Sequence, residues 1–289
     1  MASDEALSYT DDVEYHLIEH MKNIKFILLV VLAAILVGCG TTKTVPITGR
    51  QQSLMVSDGE VLSLSTQQYQ EFMKSAKLST NATNTAMVKR VGEKLATAVT
   101  NYLRSNGMAD DLQYYKWQFN LVQNNQVNAW CMPGGKIVVY EGIMNLVGSD
   151  DELAVVIGHE VAHAVAKHSN ERMSQQVLAE YGAQAIGIFT SGKSAATQQI
   201  AQQVYGLGAQ YGVMQPFSRK HESEADKMGL VLMTIAGYNP DVAVTFWQKM
   251  AATTTQEPPE FMSSHPSHAT RIADIQKWLP EVKKQYGSN

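Results

Sequence analysis

Cysteine is almost absent from this chain: 289 residues hold only Cys39 and Cys131. An excess of charge of either sign is missing too, with a formal net charge of -4 from 23 basic and 27 acidic side chains. A balance so near neutrality leaves no electrostatic footprint for nucleic acid, and that class of partner is set aside. The chain also lacks an apolar run of spanning length. The run "FILLVVLAAILVGC" falls short of the roughly 20 apolar residues that a transmembrane helix needs. No internal repeat interrupts the sequence. What remains, 45% apolar and 17% charged residues, is the composition of a globular protein with a sizeable core in one or two domains.

The short apolar run has its own meaning. From Met21, "MKNIKFILLVVLAAILVGC" offers two lysines, an apolar stretch from Ile27 to Val37, and small residues before a cysteine. That order describes a secretory signal peptide over 21–38. Leu36-Val37-Gly38-Cys39 resembles the bacterial lipobox, which implies that Cys39 becomes the lipid-modified first residue of the mature chain. Lipidation would consume Cys39, so Cys131 is expected to be buried as a small hydrophobe without a disulfide, in spite of an oxidising compartment. Residues 1–20 are acidic and unlike a signal start, and are expected to lie outside the native protein. Gly40 replaces the aspartate linked to inner-membrane retention in enteric bacteria, which favours the outer membrane. Residues 39–52, rich in Thr, Pro and Gly, read as a lipidated N-terminus and tether, and 53–289 as the folded domain.

Within that domain, residues 57–77 place Val61, Leu62, Leu64, Tyr69, Phe72 and Met73 at loosely helical spacing. Residues 83–106 repeat the three-to-four pattern more cleanly with Met87, Val88, Val91, Leu95, Val99 and Leu103. The period then changes. Alternation, aromatic and β-branched residues, and breaks at Asn-Asn and Pro-Gly-Gly predict strands near 115–123, 127–131 and 136–140. Ser149 and Glu152 have capping-box spacing at the head of a helix that carries Leu153, Val156, Ile157, Val161 and Ala164 as one apolar stripe. Residues 171–213 look helical but are Gln-, Ala- and Gly-rich, too polar to span a bilayer, and could form a lid or a partner-facing hairpin. Further helices are expected over 218–237, which closes at Gly237 before Asn239-Pro240, over 241–253 and over 271–286, with a loop at 256–270. The expected architecture is α+β: a predominantly helical domain with a small antiparallel sheet placed before the helix of "VVIGHEVAHAVAKH".

That helix carries the chemistry. His159 and His163 are four residues apart, so they project from one face, one turn apart, where two imidazoles can share a tetrahedral metal ion. Glu160 is turned about 100° from His159 and can face the open coordination position, where a carboxylate serves as base to a hydrolytic water. This HExxH spacing is the named zinc-peptidase pattern. Random placement in a chain of this composition gives such a motif about once in a hundred chains. Two imidazoles and a carboxylate suit zinc best among divalent ions.

A catalytic zinc needs a third protein ligand. "HESEADKMG" offers His221, Glu222, Glu224 and Asp226, with Glu222 and Asp226 again one turn apart. One of these could bind metal while the other hydrogen-bonds a ligand histidine. The same segment also suits a solvated acidic helix face, and physics alone does not choose between Glu222 and Glu224.

The order of features resembles a zinc metallopeptidase family that includes CAAX prenyl endopeptidases, heat-shock membrane proteases and mitochondrial overlapping-activity proteases. The resemblance runs through "NAWCMPGGKIVVYEGIM", "DELAVVIGHEVAHAVAKH", "SRKHESEADKMGLVLMTIAGYNP" and "SSHPSHATRI", and covers most of the chain from about residue 45. It is nearest to the soluble lipoprotein and periplasmic branch, and implies a gluzincin-type fold with one Zn2+ per chain. It also implies that Glu222 is the third ligand and that Asp226 partners a ligand histidine. The family's PGG strand corresponds to residues 134–141, with Gly134, Gly135, Lys136, Ile137 and Val138 expected on an exposed sheet edge that pairs with an extended peptide.

Of the other histidines, His168 lies nine residues after His159, on the opposite side of a continuous helix, and reads as a helix-end residue. His221 reads as an outer or solvent-facing residue, and His268 as surface. His265 sits in the loop before the last helix and is expected to approach the zinc, as a gate in the open position of a resting state or as a transition-state residue.

The combined expectation is a zinc endopeptidase on the periplasmic face of the outer membrane. Its lipid anchor would hold it near the membrane, with unfolded or misassembled envelope proteins as substrates. A different class stays open beside it: a chaperone-like outer-membrane assembly factor with a gated or little-used zinc site, using the Gln-rich 194–213 stretch as a partner surface. A purely structural zinc site is disfavoured, because such sites close with four protein ligands.

Overall fold

The computed structural model describes residues 41–177, 218–253, 260–265 and 270–287. The signal segment, Cys39, most of the Gln-rich stretch and His268 lie outside the described residues. The chain opens with an antiparallel hairpin, β1 (Thr41–Thr44) and β2 (Gln51–Leu54), in register Thr41 with Leu54. The sequence predicts a tether over 39–52, but from residue 41 this stretch is folded against the domain. Val45 and Gln52 are buried in it, and Arg50 reaches acidic groups far along the chain. One buried valine, one buried glutamine and one arginine pin a segment whose composition reads as linker.

Helix α1 (Asp58–Ser75) begins where Ser57 accepts from the Glu60 N–H, and α2 (Ala82–Ser105) where Asn81 accepts from the Asn84 N–H. The apolar stripe of α2, including Val88, Val91, Leu95, Val99 and Leu103, is buried in the main core. A 3-10 turn, Ala109–Tyr114, leads to the sheet: β3 (Gln118–Val122), β4 (Ala129–Met132) and β5 (Lys136–Tyr140).

The three strands fall near the predicted positions, but their arrangement corrects two expectations. The order is β3-β5-β4, with β3 and β5 parallel and β4 and β5 antiparallel, so this sheet is mixed. And β5 is central, hydrogen-bonded on both sides, so Lys136, Ile137 and Val138 form no exposed edge. Gly134 and Gly135 form the β4–β5 turn, at φ 84° and 78°, a region that favours glycine. Their carbonyls accept from the Lys116 and Gln118 N–H groups. Every residue of "KIVVY" is buried, the pattern of a strand covered on both faces in the interior of a sheet.

A short helix, α3 (Glu141–Met144), then leads to α4 (Asp150–Val165), the motif helix. Ser149 accepts from the Glu152 N–H at 3.2 Å and Glu152 accepts from the Gly148 N–H at 2.6 Å, so the capping spacing is realised one residue upstream of its usual form. Helix α5 spans 168–177, the last described residues before the gap in description. Then come α6 (Arg219–Ile235), capped by Ser218 and closed by Gly237 at φ 77°, α7 (Val242–Ala252), α8 (Glu260–Ser264) and α9 (Arg271–Tyr286). The fold is α+β and mostly helical. No described helix is long and apolar enough to cross a membrane. Cys131 is buried and its thiol is free.

Candidate metal centre

Helices α4 and α6 cross at two glycines. A Cβ on Gly229 would meet the Gly158 carbonyl carbon and the His159 nitrogen at 3.1 Å, and one on Gly158 would meet the Gly229 carbonyl oxygen at 3.3 Å. That backbone-to-backbone contact lets α4 present His159 and His163, and α6 present Glu222 and Asp226, into the same buried space. His265 enters from the end of α8, and Arg271 from the first residue of α9.

Four donor groups converge. His159, His163, Glu222 and His265 each offer a ligand atom, all within 4.8 Å of one another, and all four residues are buried. The His159 and His163 Nε2 atoms are 3.1 Å apart, and His159 Nε2 is 3.2 Å from His265 Nδ1. Glu222 carboxylate oxygens lie 3.3 Å from both His159 Nε2 and His163 Nε2, and 3.1 Å from His265 Nδ1. Zinc–nitrogen bonds of about 2.0–2.1 Å give tetrahedral edges of about 3.3 Å, so these separations suit one zinc ion held among the donors. The donor set fits the ion in chemistry as well as in spacing.

The electrostatics point the same way. Burial opposes charge on His159, but Asp226 and Glu222 outweigh it and lift its pKa to about 9. Burial drives His163 the other way, well below the ordinary histidine value. Two Nε2 atoms at 3.1 Å face one small space. Glu160 lies beside it, buried, with its pKa raised by burial against the pull of His265 and His159. Glu160 Oε1 accepts no hydrogen bond, and His265 Nε2 lies beside it at ion-pair distance, 3.3 Å. A buried carboxylate oxygen without a partner suits a group that takes a proton from a reactant.

The outer ring is more elaborate than the sequence suggests. His159 Nδ1 donates to Asp226 Oδ1 at 2.9 Å. Arg271 Nε donates to Asp226 Oδ2 at 2.7 Å, and its Nη2 donates to Glu222 Oε2 at 2.9 Å. Its guanidinium also lies 4.1 Å from the ring centroid of Trp247. Glu224, the alternative third ligand, turns away to Arg50, Thr48 and His168.

The reading of His168 as a helix-end residue on the far side needs correction. Helix α4 ends at Val165, Lys167 takes φ 54°, and the chain reverses, so the rotation of 100° per residue no longer applies at 168. His168 comes back beneath the motif, fully buried, with its Nδ1 2.9 Å from His163 Nδ1. Burial is the largest influence on it and lowers its pKa to about 4. His221 is also buried rather than exposed, stacked on His168 at 4.4 Å, with Nε2 3.2 Å from Glu171. Sequence reasoning missed Arg50, Glu171 and Arg271 altogether. Only Arg271 leaves a trace, as the basic residue that ends "SSHPSHAT" and opens the last amphipathic helix.

Comparison with known proteins identifies a family. The family model for peptidase family M48 matches residues 82–279. The mitochondrial metalloendopeptidase OMA1 of Schizosaccharomyces pombe is 38% identical over 180 residues, 62% of this chain and 50% of that protein. Human mitochondrial metalloendopeptidase OMA1 is 27% identical over 83% of this chain and 46% of its own length. The beta-barrel assembly-enhancing protease of Escherichia coli K12 is 23% identical over 90% of this chain and 53% of its own. The chain therefore spans about half the length of these relatives. The family match covers more than half of the sequence and includes every residue that lines the four-donor cluster: the chain belongs to peptidase family M48.

Proposed function

We propose that this chain is a zinc-dependent endopeptidase, with His159, His163 and Glu222 as ligands, Glu160 as the general base and later acid, and Asp226 as the residue that orients His159. One observation carries the reading: four donor groups within 4.8 Å of one another beside a buried carboxylate oxygen that accepts no hydrogen bond. When bound, zinc supplies Lewis acidity, polarising the scissile carbonyl and making water a nucleophile near neutral pH. The protein's residues do the rest. Glu160 Oε1 accepts the proton of the attacking water and returns it to the leaving amine. Asp226 keeps the hydrogen of His159 on Nδ1, leaving Nε2 as a donor to metal, and Arg271 holds Asp226 and Glu222 in place.

His265 would supply a fourth donor beside these three ligands, and that position suits a gate over a resting state. The same short helix also touches the sheet: the Phe261 N–H donates to the Val127 carbonyl at 3.0 Å, just before β4. Because Tyr140 N–H donates to Asn128 O, the alternate residues Ala129 and Cys131 direct their backbone groups away from β5. This outer edge of β4, next to Glu160, is where an extended peptide would pair, once the 260–265 segment withdraws.

The cellular reading is a lipoprotein anchored through Cys39 to the outer membrane, facing the periplasm and acting on unfolded or misassembled envelope proteins. A gated centre also suits the second reading, an assembly factor that seldom uses its zinc. Complementation with Glu160→Gln separates the two, since an assembly factor would be rescued by it. The main test is removal and return of metal. Purified protein should contain one zinc per chain, lose cleavage of an unfolded protein after chelation, and regain it with Zn2+. Cleavage that is indifferent to chelation would refute the proposal.

A further inference from the structure

We infer that His168, Glu224 and Arg50 form a positioning chain for His163, which makes the β1–β2 hairpin a working part of the metal site. The inference rests on the proposed role of His163 as a ligand.

The order of atoms carries it. His163 Nε2 faces the four-donor cluster, so its Nδ1 points outward and carries the hydrogen whenever Nε2 serves a metal. Outward lies His168 Nδ1, at 2.9 Å, which accepts that hydrogen only if its own is on Nε2. His168 Nε2 in turn lies 3.0 Å from Glu224 Oε2, a carboxylate able to take it. Glu224 is held by donors from the hairpin: Thr48 Oγ1 at 2.5 Å and Arg50 Nε at 2.7 Å. Arg50 also grips Glu171 with both terminal nitrogens, at 2.8 and 2.7 Å. Each link fixes the tautomer of the next, and the last link sits more than 110 residues from His163 in sequence, on a segment that reads as tether.

The parallel with the other histidine makes the role specific. His159 has a carboxylate on Nδ1, Asp226, and an arginine behind it, Arg271. His163 has the same pair, Glu224 and Arg50, with one imidazole interposed. His221 stacked on His168 at 24° between planes, and itself 3.2 Å from Glu171, fixes the orientation of the intervening ring. A cluster that merely held the hairpin down would not need an unprotonated nitrogen facing a metal ligand.

The test is zinc affinity, measured by chelator competition on the purified chain, with proteolysis left aside. His168→Leu removes the acceptor. His168→Gln supplies an amide oxygen to His163 and an amide N–H to Glu224. Arg50→Met loosens the far end of the chain without touching His163. Loss of an outer partner of this kind weakens metal binding about 10–100-fold. We expect that loss for His168→Leu, most of the affinity back in His168→Gln, and a smaller loss in the same direction for Arg50→Met. A folded His168→Leu that binds zinc within about twofold of wild type would overturn the inference, as would equal weakness of the Leu and Gln variants. If His168→Leu does not fold, an Arg50→Met affinity equal to wild type overturns it instead. Wild-type protein that binds no zinc would sink the ligand assignment itself; one zinc per chain with unchanged variants would sink only the positioning chain.

Discussion

Gly158 and Gly229 touch backbone to backbone, and this contact sets the distance between the two helices that supply the metal centre. A Cβ at 229 would sit 3.1 Å from the main-chain carbon of Gly158 and the nitrogen of His159, atoms that cannot move without shifting α4. Gly229→Val should therefore destabilise the fold by about 1–3 kcal/mol through overpacking and reduce zinc content, because His159 would be displaced from Glu222. Thermal unfolding and metal analysis of the same preparation check both parts.

His265 supplies the second test. Its Nδ1 lies 3.2 Å from His159 Nε2 and 3.1 Å from Glu222 Oε1. His265→Ala should keep three protein ligands, open the fourth position, and raise the basal rate of cleavage of an unfolded protein. A rate equal to wild type would remove His265 from the gating role.

Arg271 is buried and serves two carboxylates, Asp226 and Glu222. Removing one partner of a buried ion pair typically costs about 3–5 kcal/mol, because the charge left behind is uncompensated. Arg271→Met should show a loss of this size in denaturant unfolding of the metal-free protein. In the zinc-loaded protein the loss should be smaller, since the ion then neutralises Glu222.

Acid stability should report on the hairpin. Burial works against the ionised form of Glu171, but hydrogen bonds from His221 and Arg50 outweigh it and hold the pKa at about 2, below its ordinary 4.5. A carboxylate with a depressed folded pKa contributes stability that is complete above the unfolded value and lost as pH falls through the folded one. The contribution of Glu171 is therefore full above about pH 4.5 and fades toward about pH 2. Unfolding free energy measured across that window should fall less steeply in Glu171→Gln than in the wild type.

How much of this was legible in the sequence depends on the range of the signal. Helices α2, α4 and α6 announce themselves by period and caps, and the HExxH pair by local spacing. The sheet order was not legible, because the alternation that marks a strand does not name its neighbours. His168 was lost to the assumption of a continuous helix, which Lys167 breaks at φ 54°. Arg50 and Arg271 were lost for another reason. A buried arginine reads like any surface arginine until the carboxylates it serves, over 170 and 45 positions away, are brought to it.

The proposed mechanism turns on Glu160 as the base that takes the proton of the attacking water, beside zinc held by His159, His163 and Glu222. The most direct measurement is cleavage of an unfolded protein by Glu160→Gln, with zinc content determined on the same sample. The expected result is one zinc per chain, as in the wild type, with the rate lowered about 10²–10⁴-fold for loss of a general acid–base group. A zinc-loaded Glu160→Gln that cleaves at the wild-type rate would contradict the account.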